Sequence, residues 1–494
     1  MKTTYRRRIA RLGPAVLLVA GWGAGLGAQP GAAAPLRYAD AAFERVWTRT
    51  DAPVAAGQAG RSWYWGPQPG MIVREPFAGL PGGSHLVQYF DKSRMEINDP
   101  AGDRNAKWFV TNGLLTVELV AGRIQTGLSQ FETRAPADIP LASDSDDANA
   151  PTYASFLAVS NTARGDHRAA DRSGGAVTAV INRAGAVHDE PGRAQAATQL
   201  AHYEAKTGHN IPAVFWTYLA ASGPVRVDGT TTNAPLSDPW NFATGLPISE
   251  PYWATVKIAG KPTDVLIQAF ERRVLTYAPA NAPPWRVQMG NIGQHYYQYR
   301  YGGPPSVLTA ALARQAATPS YHFASLIQLK TGNLLVPFAR QSGDYQAPNR
   351  THLVQQATDG NSEIVTVGST VYVNNTTLGT GWQKSSSGSG FDLSSIIGVL
   401  QYATNVTEGA AETVAGVPSR HLHMTLEPSV IPQLGGVSYT AAEADLYVAR
   451  DSGLLVRELT TLTLAPSGGR TGTASVSVDF SDYGKAVQIT APLP

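Results

Sequence analysis

The second half of the chain alternates apolar and polar residues with a period of two. Tyr321, Phe323 and Ile327 share one side of Tyr321–Lys330, and Leu422, Met424 and Leu426 stand against His421, His423 and Thr425. Val476, Val478 and Phe480 alternate in the same way through Ala474–Phe480. Successive side chains of a strand point to opposite faces, so this spacing predicts strands with one buried face. Ser362–Val373, broken at Gly368-Ser369, and Asp445–Leu464, broken at Asp451-Ser452-Gly453, read as hairpins. Leu393, Ile396, Ile397 and Leu400 recur at helical spacing behind Asp392 as a cap, and Ser306 caps a second short helix, Val307–Ala317. Glu427–Tyr439, rich in Pro and Gly, reads as a mobile loop. The expectation is an antiparallel sheet with one apolar concave face and too few helices to cover it. Such a sheet fills its hollow with its own side chains or takes an apolar ligand. The expected lining is Phe323, Ile327, Leu422, Met424, Leu426, Leu446, Val448, Val476, Val478 and Phe480, with Ile396, Ile397 and Leu400 as a lid.

Composition agrees with a β-rich chain. Gly and Pro number 49 and 34, and charged residues make up only 15% of 494, which suits a turn-rich, mainly β (α+β) protein of more than one domain. Cysteine is absent, which excludes disulfides, thiolate metal sites and thiol nucleophiles. No G-x-S-x-G, H-E-x-x-H, phosphate-binding loop or dinucleotide fingerprint occurs, so the expectation is a non-enzymatic protein without cofactor or metal.

The charge is unevenly placed. Residues 1–34 carry Lys2, Arg6, Arg7, Arg8 and Arg11 with no acid, followed by the apolar run Ala15–Ala24 and small residues ending in Gly31-Ala32-Ala33-Ala34. This is the layout of a secretory signal peptide, with cleavage expected after Ala33. Arg6-Arg7-Arg8 also fits a twin-arginine leader. Removing the leader leaves 34 basic against 37 acidic residues, a net charge of −3, so nucleic acid is not an expected partner. No further apolar run reaches 18 residues, so the mature chain is expected to be extracytoplasmic without a membrane span.

The first half, residues 35–305, contains a duplicated block, about 75–113 and 250–290. Glu75-Pro76-Phe77, Leu86–Lys92 and Trp108-Phe109-Val110 to Gly113 match Glu250-Pro251-Tyr252, Leu266–Arg272 and Trp285-Arg286-Val287 to Gly290. Glu250 and Glu271 suggest a paired-carboxylate site, but their counterparts Glu75 and Asp91 favour a structural role in both copies. Trp63-Tyr64-Trp65 and Tyr296–Tyr301 offer rings for sugar stacking or core packing. His202 and His209 share a face of a helix predicted within Gln199–Thr207, without a third ligand at metal spacing. Ser143–Asp147 lacks the Gly and Glu of a calcium loop and is expected to be a solvated acidic loop.

Two resemblances follow from these phrases. The duplicated half, with Gln88–Glu96 and Gly245–Glu250, resembles an uncharacterised repeat module of secreted Chloroflexi-type bacterial proteins. Residues 306–494 resemble the LppX/LprG-type bacterial lipoproteins, which are similar to lipoprotein carriers. The matching phrases are Asp359-Gly360-Asn361, Gly381-Trp382-Gln383-Lys384, Val414–Val417, Asp451–Arg457, Phe480–Lys485 and Ile489–Pro492. This resemblance implies a half-barrel with a helical lid that binds lipids or acylated molecules. The lipidated cysteine usual in that family is missing here. The alternatives are an adhesive envelope protein binding cell-wall glycan through its aromatic first half, and an envelope-stress sensor.

Overall fold

A computed structural model describes residues 37–162, 166–302, 305–331, 334–358, 360–384, 397–428, 431, 438–466 and 472–493. The expected leader lies outside these residues, as do Asp392, Leu393, Ile396 and most of Glu427–Tyr439. The chain divides into two compact units, Tyr38–Pro305 and Ser306–Pro494, the latter including Arg37. The protein is mainly β.

The front unit, Tyr38–Pro305, carries a six-stranded and a three-stranded sheet around a core that includes Phe43, Trp65, Phe215, Trp253 and Phe270. In two places a strand turns through an acid–base pair into its antiparallel neighbour. Ser84–Phe90 turns through Asp91-Lys92 into Ser93–Ile97, with Gln88 opposite Met95. Lys261–Ala269 turns through Glu271-Arg272 into Val274–Tyr277, with Gln268 opposite Leu275. A third segment follows in each, pairing Thr111 with Glu96 and Gln288 with Thr276. The Glu-Pro phrases do not coincide: Glu75 lies inside Ile72–Pro76 opposite His85, whereas Glu250 precedes the strand Tyr252–Ile258.

Two sequence expectations are corrected in this unit. His202 and His209 do not share a helix; they lie on the hairpin Leu200–Glu204/His209–Pro212, turned by Gly208 at positive φ. His202 stacks on Trp216 at 4.0 Å, and buried His209 meets Glu250 at 3.3 Å. The acidic loop is not simply solvated. Asp144 accepts from the amides of Ala259 and Gly260, and Asp147 from that of Lys257, so both carboxylates clamp a hairpin turn. Of the two readings of the aromatic runs, core packing holds for Tyr64, Trp65, Tyr296 and Tyr297, which are buried. The exposed rings are instead Trp108, Phe131 and Trp285.

The second unit is built on one antiparallel sheet of twelve strands. They are β1 (Ser320–Thr331), β2 (Leu334–Gln346), β3 (Arg350–Ala357), β4 (Gly360–Val367), β5 (Thr370–Asn375), β6 (Trp382–Lys384), β7 (Ala403–Glu408), β8 (Glu412–Val414), β9 (Val417–Leu426), β10 (Tyr439–Ala449), β11 (Leu455–Leu464) and β12 (Gly472–Ser481). Their spatial order is β6-β5-β4-β3-β2-β1-β12-β11-β10-β9-β7, with β8 on β9. Two meanders therefore join where the first strand pairs with the last. That pairing runs over ten residues, from His322 opposite Ser481 to Thr331 opposite Gly472. Gly343, opposite Phe323, leaves room for a close approach of β2 and β3; a Cβ there would run into the His352 carbonyl oxygen.

Candidate functional site: the buried face of the large sheet

Cross-strand register gathers the expected lining residues on one face. One row runs Leu422, Leu446, Glu458, Val478, Ser325, Gln341 and Gln355, each directly opposite the next. The next row runs Met424, Ala444, Thr460, Val476, Ile327 and Ala339. Phe323 stands opposite Phe480, Leu426 opposite Ala442, and Val448 lies beyond Leu446 near the strand end. All ten strand residues expected on this face are buried. Leu400 is also buried, Ile397 is half-buried at residues 397–399, which are helical, and Ile396 lies outside the described residues.

The face is capped at one end by the helix Pro305–Ala317. Its buried residues Leu308, Ala311, Leu312 and Gln315 recur at helical spacing, so one stripe faces inward. On the same side as Phe323, the Tyr321 ring stacks on Tyr345 and meets Phe480 and Tyr483. Tyr483 Oη in turn lies 2.8 Å from Gln315 Oε1 and 2.7 Å from the Leu455 carbonyl oxygen.

A polar stripe crosses this apolar surface. Ser325 donates to Gln341 at 2.8 Å, and Gln341 donates to Gln355 at 2.8 Å. Glu458 continues the same row. Its carboxylate accepts from Thr460 Oγ1 at 2.8 Å and has no cationic partner within salt-bridge distance among the described residues. Burial pushes its carboxyl up to about 7, and the Thr460 hydroxyl only partly offsets that cost. Sequence reasoning named its apolar neighbours but not Glu458. The signal was present: an acid at the inward position of the alternation Glu458, Thr460, Leu462.

The opposite face is polar. His421 Nε2 and His423 Nδ1 both meet Asp445 Oδ1, at 2.8 and 2.9 Å, and Arg457 pairs with Asp479 through two contacts. A shallow groove of about 520 Å³ opens on this side over Leu326, Arg340, Arg457, Leu459 and Asp479. Ser325 and Gln341 of the buried-face row also line it. Among the described residues no group of three or more His, Asp or Glu side chains could hold a metal ion. No helix among them is long and apolar enough to cross a membrane.

In the front unit the two paired-carboxylate residues are separately engaged. Glu250 is bound by Arg172 at 2.5 Å and by the Asn210 amide at 2.8 Å, and Glu271 accepts from the Leu246 amide at 2.9 Å. Glu75 is fully buried between Arg300 at 2.8 Å and Arg94 at 3.2 Å, with the Tyr301 hydroxyl donating at 2.8 Å. Although desolvation raises its carboxyl, the two guanidinium groups prevail and hold it far below the usual carboxylate range.

The chain matches no protein-family profile, and no curated protein matches it. Among solved structures it is similar to the Mycobacterium tuberculosis lipoprotein LppX, at 20% identity and a TM-score of 0.30, covering 38% of this chain and 100% of that one. LprF from Mycobacterium bovis matches at 14% identity and a TM-score of 0.27, covering 38% of this chain and 95% of that one. A putative outer membrane lipoprotein-sorting protein domain from Vibrio parahaemolyticus matches at 12% identity and a TM-score of 0.19, covering 37% and 93%.

Proposed function

We propose that the chain is a non-enzymatic, extracytoplasmic binder or carrier of lipids or acylated molecules. The acyl part lies against the buried face of the large sheet, under the helix Pro305–Ala317. The observation that carries this reading is the buried apolar surface that Leu422 and Met424 on β9, Leu446 on β10, Val476 and Val478 on β12 and Phe323 and Ile327 on β1 form on one side of the sheet, interrupted on β11 by Glu458 and Thr460. Each acyl CH₂ withdrawn from water there contributes about 0.8 kcal/mol, so a chain of about a dozen carbons binds usefully even after ordering costs. No covalent step is involved. The layout of residues 1–34 supports export.

Titration of a fluorescent fatty acid into the full-length protein tests this directly. Saturable binding that is lost in Met424→Asp supports it; no saturable binding in the wild type rejects it.

A second reading, attachment to cell-wall glycan through the front unit, is favoured by one observation. Trp108 and Trp285, at equivalent places in the two matched blocks, are 49% and 42% exposed. Retention of the protein on polysaccharide, lost in Trp108→Ala/Trp285→Ala, would support it.

A further inference from the structure

The second unit has four histidines, all on the polar face of the large sheet, and each meets a carboxylate. His322 on β1 differs from the rest. Its Nδ1 lies 2.7 Å from Asp344 Oδ1, and its Nε2 lies 3.1 Å from the hydroxyl of Ser342. The other three have no hydroxyl on either ring nitrogen among the described residues. Strand register brings the trio together: His322 stands directly opposite Asp344 on β2, and Ser342 is two residues back on the same face. The proton count closes in one way. A carboxylate only accepts, so Nδ1 carries the imidazole proton, Nε2 presents its lone pair, and the Ser342 hydroxyl donates to it.

A base on the hydroxyl and an acid that orients the base are what make a serine nucleophilic. Ser342 is exposed, and the His322 and Asp344 side chains are 34% and 40% exposed, so a reagent reaches all three. The groove described above begins beside them, because Ala324, directly opposite Ser342, lines it together with Leu326 and Leu459. Those side chains suit the apolar part of a short acyl group. β2 is paired with β1 on one side and β3 on the other along this stretch, so the amides around Ser342 are spent in the ladder. That leaves no pair of backbone donors on these strands for an oxyanion, and repeated hydrolysis depends on such donors.

We propose that Ser342 is an acyl-acceptor site, which takes one acyl group from an activated ester and keeps it. Ser342 Oγ bonds to the carbonyl carbon while its proton passes to His322 Nε2. The bond from that carbon to the leaving oxygen then breaks, and the proton departs with the alcohol or phenol. Nothing is oxidised or reduced. Ser342 and His322 touch the reacting atoms, and Asp344 is a positioning residue. The site lies on the polar face, does not rest on the acyl-binding reading of the buried face, and adds to it a modification without turnover.

Incubation of the full-length protein with p-nitrophenyl acetate, followed by peptide mass mapping, tests the proposal. One acetyl group per chain is expected on Ser342, and none on Ser477 or Ser481, which share the face but face no histidine nitrogen within hydrogen-bond distance. His322→Asn should slow acetylation of Ser342 at least about a hundredfold and leave the labelling of surface lysines unchanged. Ser342→Ala, at an exposed position, is expected to fold and to lose this label alone. Asp344→Asn should slow the reaction and displace its pH profile, which loss of a merely structural contact would not do. The other charged groups around His322 are Asp479 on β12, tied to Arg457, and His352 on β3, opposite Asp344 and tied to Glu363; all stay in place in that variant. Acetyl groups on lysines or His322 alone, or equal labelling of Ser342 in His322→Asn, overturn the proposal. Release of p-nitrophenolate well beyond one per chain, lost in Ser342→Ala, overturns its single-acyl limit. Acyl binding on the buried face is read separately by the fluorescent fatty acid, so its failure and the failure of this site are distinguishable.

Discussion

Leu446 on β10 stands directly opposite Glu458 on β11, so an acid with no cationic partner among the described residues shares a cross-strand pair with a fully buried leucine. The pair sets a pH dependence. Unfolded, a glutamate titrates near about 4.3, whereas burial holds Glu458 up at about 7 in the fold. A raised carboxyl means that the folded state keeps its proton longer. The stability of the second unit is therefore full below the unfolded value and declines as pH rises to about 7. Relative to Glu458→Gln, the wild type should lose roughly 3 kcal/mol between pH 5 and pH 8. Hydrogen exchange of peptides from β11 and β12 at the two pH values measures it; equal protection in both proteins would contradict it.

Leu422→Ala and Leu446→Ala each open space in the row that is assigned to the acyl chain. Each should cost about 2–5 kcal/mol of stability in the second unit. Denaturant unfolding followed by hydrogen exchange reads the change, and a cost below about 1 kcal/mol would mean that this face is not a packed core.

Glu75 carries the opposite pH sign. Its folded value is depressed by Arg94 and Arg300, so its contribution is full above the unfolded value of about 4.3 and is lost as pH falls below it. Glu118, nearby and raised to about 7 by burial, works the other way at higher pH. Glu75→Gln should cost about 3–5 kcal/mol at pH 7, because two buried guanidinium groups lose their counter-charge. Tryptophan fluorescence during urea unfolding checks this for the front unit, and the gap between wild type and variant should shrink on acidification below pH 4.

Asp51 holds three consecutive amides, those of Tyr64 at 2.9 Å, Trp65 at 2.7 Å and Gly66 at 3.0 Å. Asp51→Ala leaves all three inside the core without an acceptor and should cost about 3 kcal/mol or more. Asp51→Asn, which keeps one acceptor oxygen, should cost less, and the same urea unfolding distinguishes the two.

The strands of the second unit were legible because their alternation is regular. Phe323, Ile327, Leu422, Met424, Val476 and Val478 emerge on one face as that spacing requires. The order of the strands was not legible, because pairing of β1 with β12 joins residues some 150 positions apart and nothing local encodes it. The front unit was harder to read. His202 and His209 matched helical spacing by coincidence, and the Thr207-Gly208 turn between them outweighed it. The aromatic run Tyr296–Tyr301 is consumed by packing: Tyr296 donates to buried Glu118, and Tyr297 packs against Tyr89 and Tyr301. Glu458 is a single polar residue among apolar neighbours, and only the register of β11 places it on the buried face.

The most direct measurement of the central claim is mass spectrometry of an organic extract from the full-length protein, purified under native conditions without detergent. Acylated molecules should co-purify in near-stoichiometric amount with the wild type and be absent from Met424→Asp. An extract free of amphiphiles from a wild-type protein that also fails to bind added fatty acid would contradict the account.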